Sequence, residues 1–249
     1  MTLSAKTDRR GLFSAAALRL LALTAMLLDH LWATLIPGSM WMTWAGRLAF
    51  PIFAFQLSEG FVHSHDRRAY GKRLLLFALI SEVPFDLVYG GTALYPFHQN
   101  VMWTLLLGLL AMAAVERGRA RGTKKALVIG GLQAAGLCLV GAVTFVDYGG
   151  WGVATALGFY LFRNFPGARL CQLALLTYIN GFAYMGMTIP VTVLGHVFDF
   201  PTQGFAILAL VPIWLYNGRK GGGGKALQWG CYVFYPAHLL VLWLLFTLR

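Results

Sequence analysis

From Leu12 to Ile36 the chain reads LFSAAALRLLALTAMLLDHLWATLI. A bilayer hydrocarbon core is about 30 Å thick and takes about 20 apolar residues of helix to cross, so this run predicts a transmembrane helix. Reading outward, eight further apolar runs follow, near residues 42–62, 73–90, 99–116, 125–146, 150–163, 169–187, 203–216 and 226–248. Those at 150–163 and 203–216 are short for a full crossing, so a broken, tilted or partly inserted helix is expected there. The fold class that follows is all-α: a polytopic transmembrane helix bundle of about nine helices. Residues 1–249 are read as one integral membrane domain.

Composition points the same way. Of 249 residues 58% are apolar and 12% charged, against roughly 25% charged in soluble domains, which excludes an ordinary soluble enzyme. The net charge of +11 in a soluble chain suggests a nucleic-acid partner; here the positions of the charges decide otherwise. Cytoplasmic loops of membrane proteins are enriched in Lys and Arg. With the N-terminus placed inside, all but three of the 20 Lys and Arg residues fall in inside segments, and the loops near 37–41, 91–98, 147–149 and 188–202 carry none. The exceptions are Arg249 at the C-terminus and Arg19 and Arg47 within apolar runs. Nine crossings with N-terminus in and C-terminus out are therefore expected, with residues 1–11 a short basic cytoplasmic segment, a lipid bilayer as partner and no nucleic acid.

Several segments are read as structure. The first run is too long for a signal-peptide core and carries Arg19, Asp29 and His30 with no small-residue cleavage site after it. Cys138, Cys171 and Cys231 lie in apolar runs, too far apart for a metal motif or a disulfide framework. Gly221 to Gly224 before Lys225 lack the spacing of a phosphate-binding loop, since Arg219 and Ala226 stand where Gly and Ser or Thr belong. Small residues such as Gly108, Gly130, Gly131, Gly136, Gly141 and Gly158 are expected to let helix backbones approach. No internal repeat is evident, which weighs against a transporter of inverted repeats.

Ionisable groups inside a bilayer are costly and point to function. Arg19 and His30 are eleven residues apart, on one face of a helix and separated by about 16 Å of rise. Asp29 is next to His30 but points about 100° away. Gly46, Arg47 and the kink residue Pro51 open the second run, and Gln56, Glu59 and His63 form a polar stripe along it. Glu82 and Asp86 flank Pro84 on one face of the third. In the N-in topology Asp29, His30, Arg47, Asp86, His98, Gln99 and Asn100 share the outer half of the bundle, with Glu82 nearer the middle. Arg47 and Asp86 are open to a structural reading, the neutralising of buried charge by ion pairing. His30 fits that reading less well, because an ion pair has no need of a group that titrates near neutral pH; a neutral His oriented by a carboxylate is what general-base chemistry requires. His238 is open between a core His and a substrate contact, and His196 and Asp199 lie in an outer loop without a clear role.

These residues also carry a resemblance. Leu28-Asp29-His30, Ala45-Gly46-Arg47-Leu48-Ala49-Phe50-Pro51-Ile52-Phe53-Ala54, Glu82-Val83-Pro84-Phe85-Asp86, Gln99-Asn100, Tyr216-Asn217-Gly218 and Phe234-Tyr235-Pro236-Ala237-His238-Leu239 resemble the TraX family, from about residue 18 to 245; residues 110–200 match only in hydropathy. TraX proteins are bacterial inner-membrane proteins whose founding member is linked to N-terminal acetylation of conjugative pilin. The Arg19-x10-His30 spacing is also similar to the first-helix motif of the broader membrane acyltransferases. The resemblance implies a multi-pass inner-membrane acetyltransferase using acetyl-CoA from the cytoplasm. Its acceptor is an amine or hydroxyl on pilin, an envelope peptide, a glycan or a lipid. Arg19, Asn217, Arg219 and Lys220 are then expected to hold the CoA, and His30 to act as base or acyl carrier, oriented by Asp29, Glu82 or Asp86. Arg47 or Asn100 are expected to stabilise the oxyanion, with Asn100, Glu59 and His238 contacting substrate. Two other classes stay open: a carrier or channel for a small anion, with His30 as proton relay, and a membrane assembly subunit.

Overall fold

A computed structural model describes residues 11–184 and 186–249. The expected basic N-terminal segment therefore lies, apart from Gly11, outside the described residues. All nine apolar runs become helical. The elements are α1 (Ala15–Thr34), α2 (Met40–Gly46), α3 (Ala49–His63), α4 (Arg67–Tyr89), α5 (Val101–Ala120), α6 (Lys124–Val143), α7 (Gly149–Phe162) and α8 (Ala168–Tyr178), which runs on into a π turn, Ile179–Ala183. A hairpin of β1 (Thr188–Val193) and β2 (His196–Pro201) follows, then a 3-10 segment, Thr202–Ala209, that leads into α9 (Leu210–Trp214), and finally α10 (Gly224–Thr247). Polar residues standing just before the apolar runs start several of these helices. Ser14, Asp66, Asn100 and Thr123 each accept a backbone N–H of the first turn, satisfying a donor that has no partner within the helix.

Among the described residues four helices, α1, α5, α6 and α10, are long and apolar enough to cross a membrane by themselves. Three of the other runs are interrupted for identifiable reasons, while α4 is a continuous helix from Arg67 to Tyr89. The run at 42–62 divides into α2 and α3 at Arg47-Leu48, where Pro51 has no N–H to give the Arg47 carbonyl. The run at 169–187 loosens into the π turn, where the Asn180 side chain bonds the Leu176 carbonyl at 2.9 Å. The run at 203–216 is mostly 3-10, with Pro212 inside the short α9.

The bundle is built around α5, which packs on α3, α4, α6 and α7. Leu18, Ile52, Phe61, Met112, Val153, Leu210 and Leu239 are fully buried in the common core. The α5–α6 contact is backbone on backbone: a Cβ at Gly118 stands 2.6 Å from the Ala126 carbonyl oxygen, and one at Gly130 2.7 Å from that of Ala114, so these positions need glycine. Gly131 and Gly136, expected in the same role, face open space.

One segment corrects the all-helical expectation. Residues 188–201, read from sequence as an outer loop, form the antiparallel hairpin β1–β2 with Ile189 opposite Phe200 and Val191 opposite Phe198. The cause is local: alternating β-branched and aromatic residues surround a two-residue turn, Leu194-Gly195, at φ 50° and 82°, the mirror-image turn that matches strand twist.

Candidate functional site

The site forms where α1 and α2 meet. Gly46 lets them touch, since a Cβ there stands 2.4 Å from the Asp29 Cβ. This contact places Asp29 against α2. Its Oδ1 accepts a bond from Thr43 Oγ1 at 2.7 Å and pairs with Arg47 Nη2 at 3.4 Å. Arg47 also donates to Thr43 Oγ1 at 2.7 Å and to Gln203 Oε1 at 3.4 Å, and Gln203 in turn donates to Asn180 Oδ1 at 3.1 Å. The Arg47 Nε–H is buried without a partner among the described residues.

Contrary to the expectation that it would orient His30, Asp29 is thus spent on α2, because adjacent helical residues point about 100° apart. The partner of His30 is His238. His30 Nδ1 and His238 Nε2 are 2.6 Å apart and the rings are within 8° of parallel, as an in-plane bond between imidazoles requires. The tautomers follow by elimination. The Phe234 carbonyl, 2.8 Å from His238 Nδ1, can only accept, so that nitrogen carries the proton. In a neutral His238, Nε2 is then the acceptor and His30 Nδ1 the donor. A neutral His30 is left with a bare Nε2, which makes no hydrogen bond among the described residues.

His30, Asp29 and Arg47 line a cavity of about 220 Å³ together with Trp32, Phe85, Tyr89, His98, Asp147, Tyr148, Tyr184 and Tyr235. The volume is enough for several waters or a small acyl group. Sequence reading placed His98 at this depth without giving it a role and missed Asp147. The two are brought together by a short parallel bridge between the α4–α5 and α6–α7 connections: Gln99 N–H donates to the Phe145 carbonyl at 2.9 Å and Asp147 N–H to that of Gln99 at 2.8 Å. Thr104 Oγ1 holds the Asp147 carbonyl. Phe145 and Tyr148, on either side, adopt left-handed conformations at φ 56° and 62°, strain that persists only where the surroundings impose it. The Asp147 carboxylate, 3.7 Å from His98 Nε2, holds the His98 pKa above the ordinary histidine value against the opposing effect of burial. The missed signal is an acidic residue at the end of a span, level with His98.

Other expected residues lie elsewhere. Glu82 accepts bonds from Trp103 Nε1 at 2.9 Å and from Asn100 Nδ2. Asn100 also caps α5 and bonds the Ala78 carbonyl at 2.9 Å. Asp86 takes the Tyr95 N–H at 2.8 Å while its other oxygen is buried without a partner among the described residues. None of the three lines the cavity; Glu82 and Asn100 are consumed in joining α4 to α5. Glu59 pairs with Arg163 at 3.4 Å, a dozen residues along α3 from the Arg47 end. Of the residues assigned to CoA, Arg19 reaches the Cys231 sulfur and lies near Tyr70 and Tyr232. The Tyr216-Asn217-Gly218 loop crosses the start of α1: Phe13 N–H bonds the Leu215 carbonyl, Asn217 N–H that of Phe13, Ala15 N–H that of Arg219 and Ala16 N–H that of Lys220. Asn217 Oδ1 meanwhile accepts the Arg219 N–H at 2.9 Å. These bonds bring Arg219 and Lys220 to the same end of α1 as Arg19.

Comparison with known proteins agrees with these motifs. A probable fimbrial assembly protein FimC, serogroup H1, from Dichelobacter nodosus is 27% identical, over 92% of this chain and 94% of the relative. No solved structure matches. The model of the family described as TraX protein matches residues 14–246, a stretch that holds the α1–α2 corner, both histidines of the pair and the loop over α1, and the chain belongs to the TraX family.

Proposed function

We propose that the protein is a membrane-bound acetyltransferase that moves an acetyl group from acetyl-CoA to an amine or hydroxyl acceptor reached at the cavity. The observation that carries this reading is the His238–His30 pair, which fixes one tautomer of His30 and leaves Nε2 bare at a cavity. In the proposed step His30 Nε2 takes the proton of the acceptor N–H or O–H as the nucleophile bonds to the thioester carbonyl. The C–S bond then breaks, and the leaving thiolate recovers the proton from the imidazolium, so products are the acetylated acceptor and CoA thiol. Arg47, which lines the cavity with His30, would be the donor to the oxyanion. Arg19, Arg219 and Lys220 at the far end of α1 would meet the CoA phosphates, about three turns from His30.

The topology that serves this reaction has nine crossings with N-terminus in and C-terminus out, in a bacterial inner membrane. Acetyl-CoA then comes from the cytoplasm, and the acceptor is a pilin N-terminus or an envelope peptide, glycan or lipid. The name of the FimC relative, a fimbrial assembly protein, supports a pilus-related acceptor. The test is mass spectrometry of the envelope fraction from cells with the protein, without it, or with His30→Ala. An acetyl gain is expected only with the intact protein, and a full gain with His30→Ala overturns the assignment. Thermal stabilisation of the purified protein by acetyl-CoA separates this reading from a small-anion carrier, which should respond to no CoA species.

A further inference from the structure

We propose that the β1–β2 hairpin is a membrane-interface element whose apolar face rests on lipid beside the bundle. Its register makes it two-sided. Ile189, Val191, Phe198 and Phe200 share one face with His196, and Thr188, Pro190, Thr192, Val197, Asp199 and Pro201 share the other, so the first face carries the larger and aromatic apolar groups and the second the threonines and the carboxylate. At the stem the apolar face is turned to the bundle: Phe200 meets Phe205 edge to face with centroids 5.4 Å apart and covers Gly204, and Phe205 stacks on Trp44 of α2 at 5.1 Å. Further out on the same face Val191 and Phe198 are exposed among the described residues. What lies beside a membrane bundle, under a face already turned toward it, is the bilayer.

Two further observations favour lipid over water. The tip is Leu194, 96% exposed and at φ 50°, a position where Asn or Gly is the less strained choice and is also polar or neutral toward water. An apolar side chain there fits an apolar surrounding. Aromatic residues of other elements, Trp41 of α2, Trp151 of α7, Tyr178 of α8 and Phe182 of the π turn, are exposed as well, and these are residue types that gather at membrane–water interfaces. The stem joins Thr202 to the Met187 carbonyl at 2.8 Å, and Gln203 next to it bonds Arg47, which lines the cavity, so the seat of the hairpin is linked to the site.

The test is spin-label accessibility on the full chain in nanodiscs of phosphatidylcholine and phosphatidylglycerol. Cys138, Cys171 and Cys231 are replaced by Ala, and single labels are placed at Val191→Cys, Thr192→Cys, Phe198→Cys and Asp199→Cys. Oxygen concentrates in lipid and a nickel complex in water, so the ratio of the two accessibilities should be severalfold higher at 191 and 198 than at 192 and 199. Dipolar broadening between labels at 191 and 198, which are cross-strand partners, verifies that the hairpin stays paired. Equal ratios at all four positions of a paired hairpin overturn the proposal. Exclusion of both reagents from 191 and 198 also overturns it, and marks a protein contact in place of lipid.

Discussion

Two polar clusters in this protein draw on the same residue types and differ in what they leave unsatisfied. At the α4–α5 junction, Glu82 is bonded by Trp103 and Asn100, and Asn100 spends its amide on a helix cap, a carbonyl and that carboxylate. At the α1–α2 corner, Asp29 and Thr43 saturate one side of Arg47, yet among the described residues the Arg47 Nε–H and His30 Nε2 make no hydrogen bond, and both residues line a cavity. The first arrangement joins helices, and Asp86 there, with one oxygen left without a partner among the described residues, does not line the cavity. The second has donors and a lone pair left over for a substrate, which is what a reactive site needs.

The contrast can be broken by substitution. The largest expected effect is at the corner: His30→Ala should lower acetyl transfer about a thousandfold with the fold retained, measured as acetyl gain alongside thermal unfolding of the same preparation. Gly46→Val comes next. Its side chain must force α1 from α2 at the Asp29 contact, for a loss of about 3 kcal/mol and of transfer in the folded fraction, read by unfolding in detergent. Asn100→Ala should cost about 2 kcal/mol through the lost cap and the unsatisfied groups it leaves, while the protein that stays folded keeps its transfer rate; a rate loss matching His30→Ala would show that the junction belongs to the site.

The smallest effect is a pH dependence that sharpens the boundary of the cavity. The His98 pKa is raised in the folded state beside Asp147, so the stabilisation is fully present below the ordinary histidine value of about 6.5 and is lost as pH rises through the higher folded value. The exposed position of His98 limits it to below about 1 kcal/mol. Thermal stability followed across this range should fall with rising pH in the native chain, and the fall should flatten in Asp147→Asn.

Much of the framework was legible before any coordinates. All nine apolar runs are helical, polar residues ahead of the runs cap several of the helices, and Gly46, Arg47 and His30 stand at the corner that the motif residues marked. The carboxylates were harder to rank. Asp29, Glu82 and Asp86 look alike in sequence because depth along a helix can be counted from residue numbers, whereas azimuth relative to a neighbouring helix cannot. Asp147 was missed for the same reason, since its place at the cavity depends on a backbone bridge to Gln99 from a distant part of the chain.

By itself, then, the sequence determined that the chain belongs in a membrane, where its helices run and which buried polar residues demand an explanation, because hydropathy and periodicity are local properties. Tertiary structure alone decided that His238 and not Asp29 holds His30, that Glu82 and Asn100 serve the bundle, and that residues 188–201 pair as a hairpin. Each of these depends on which group fills a hydrogen-bonding position first, and that is fixed only when distant segments have packed.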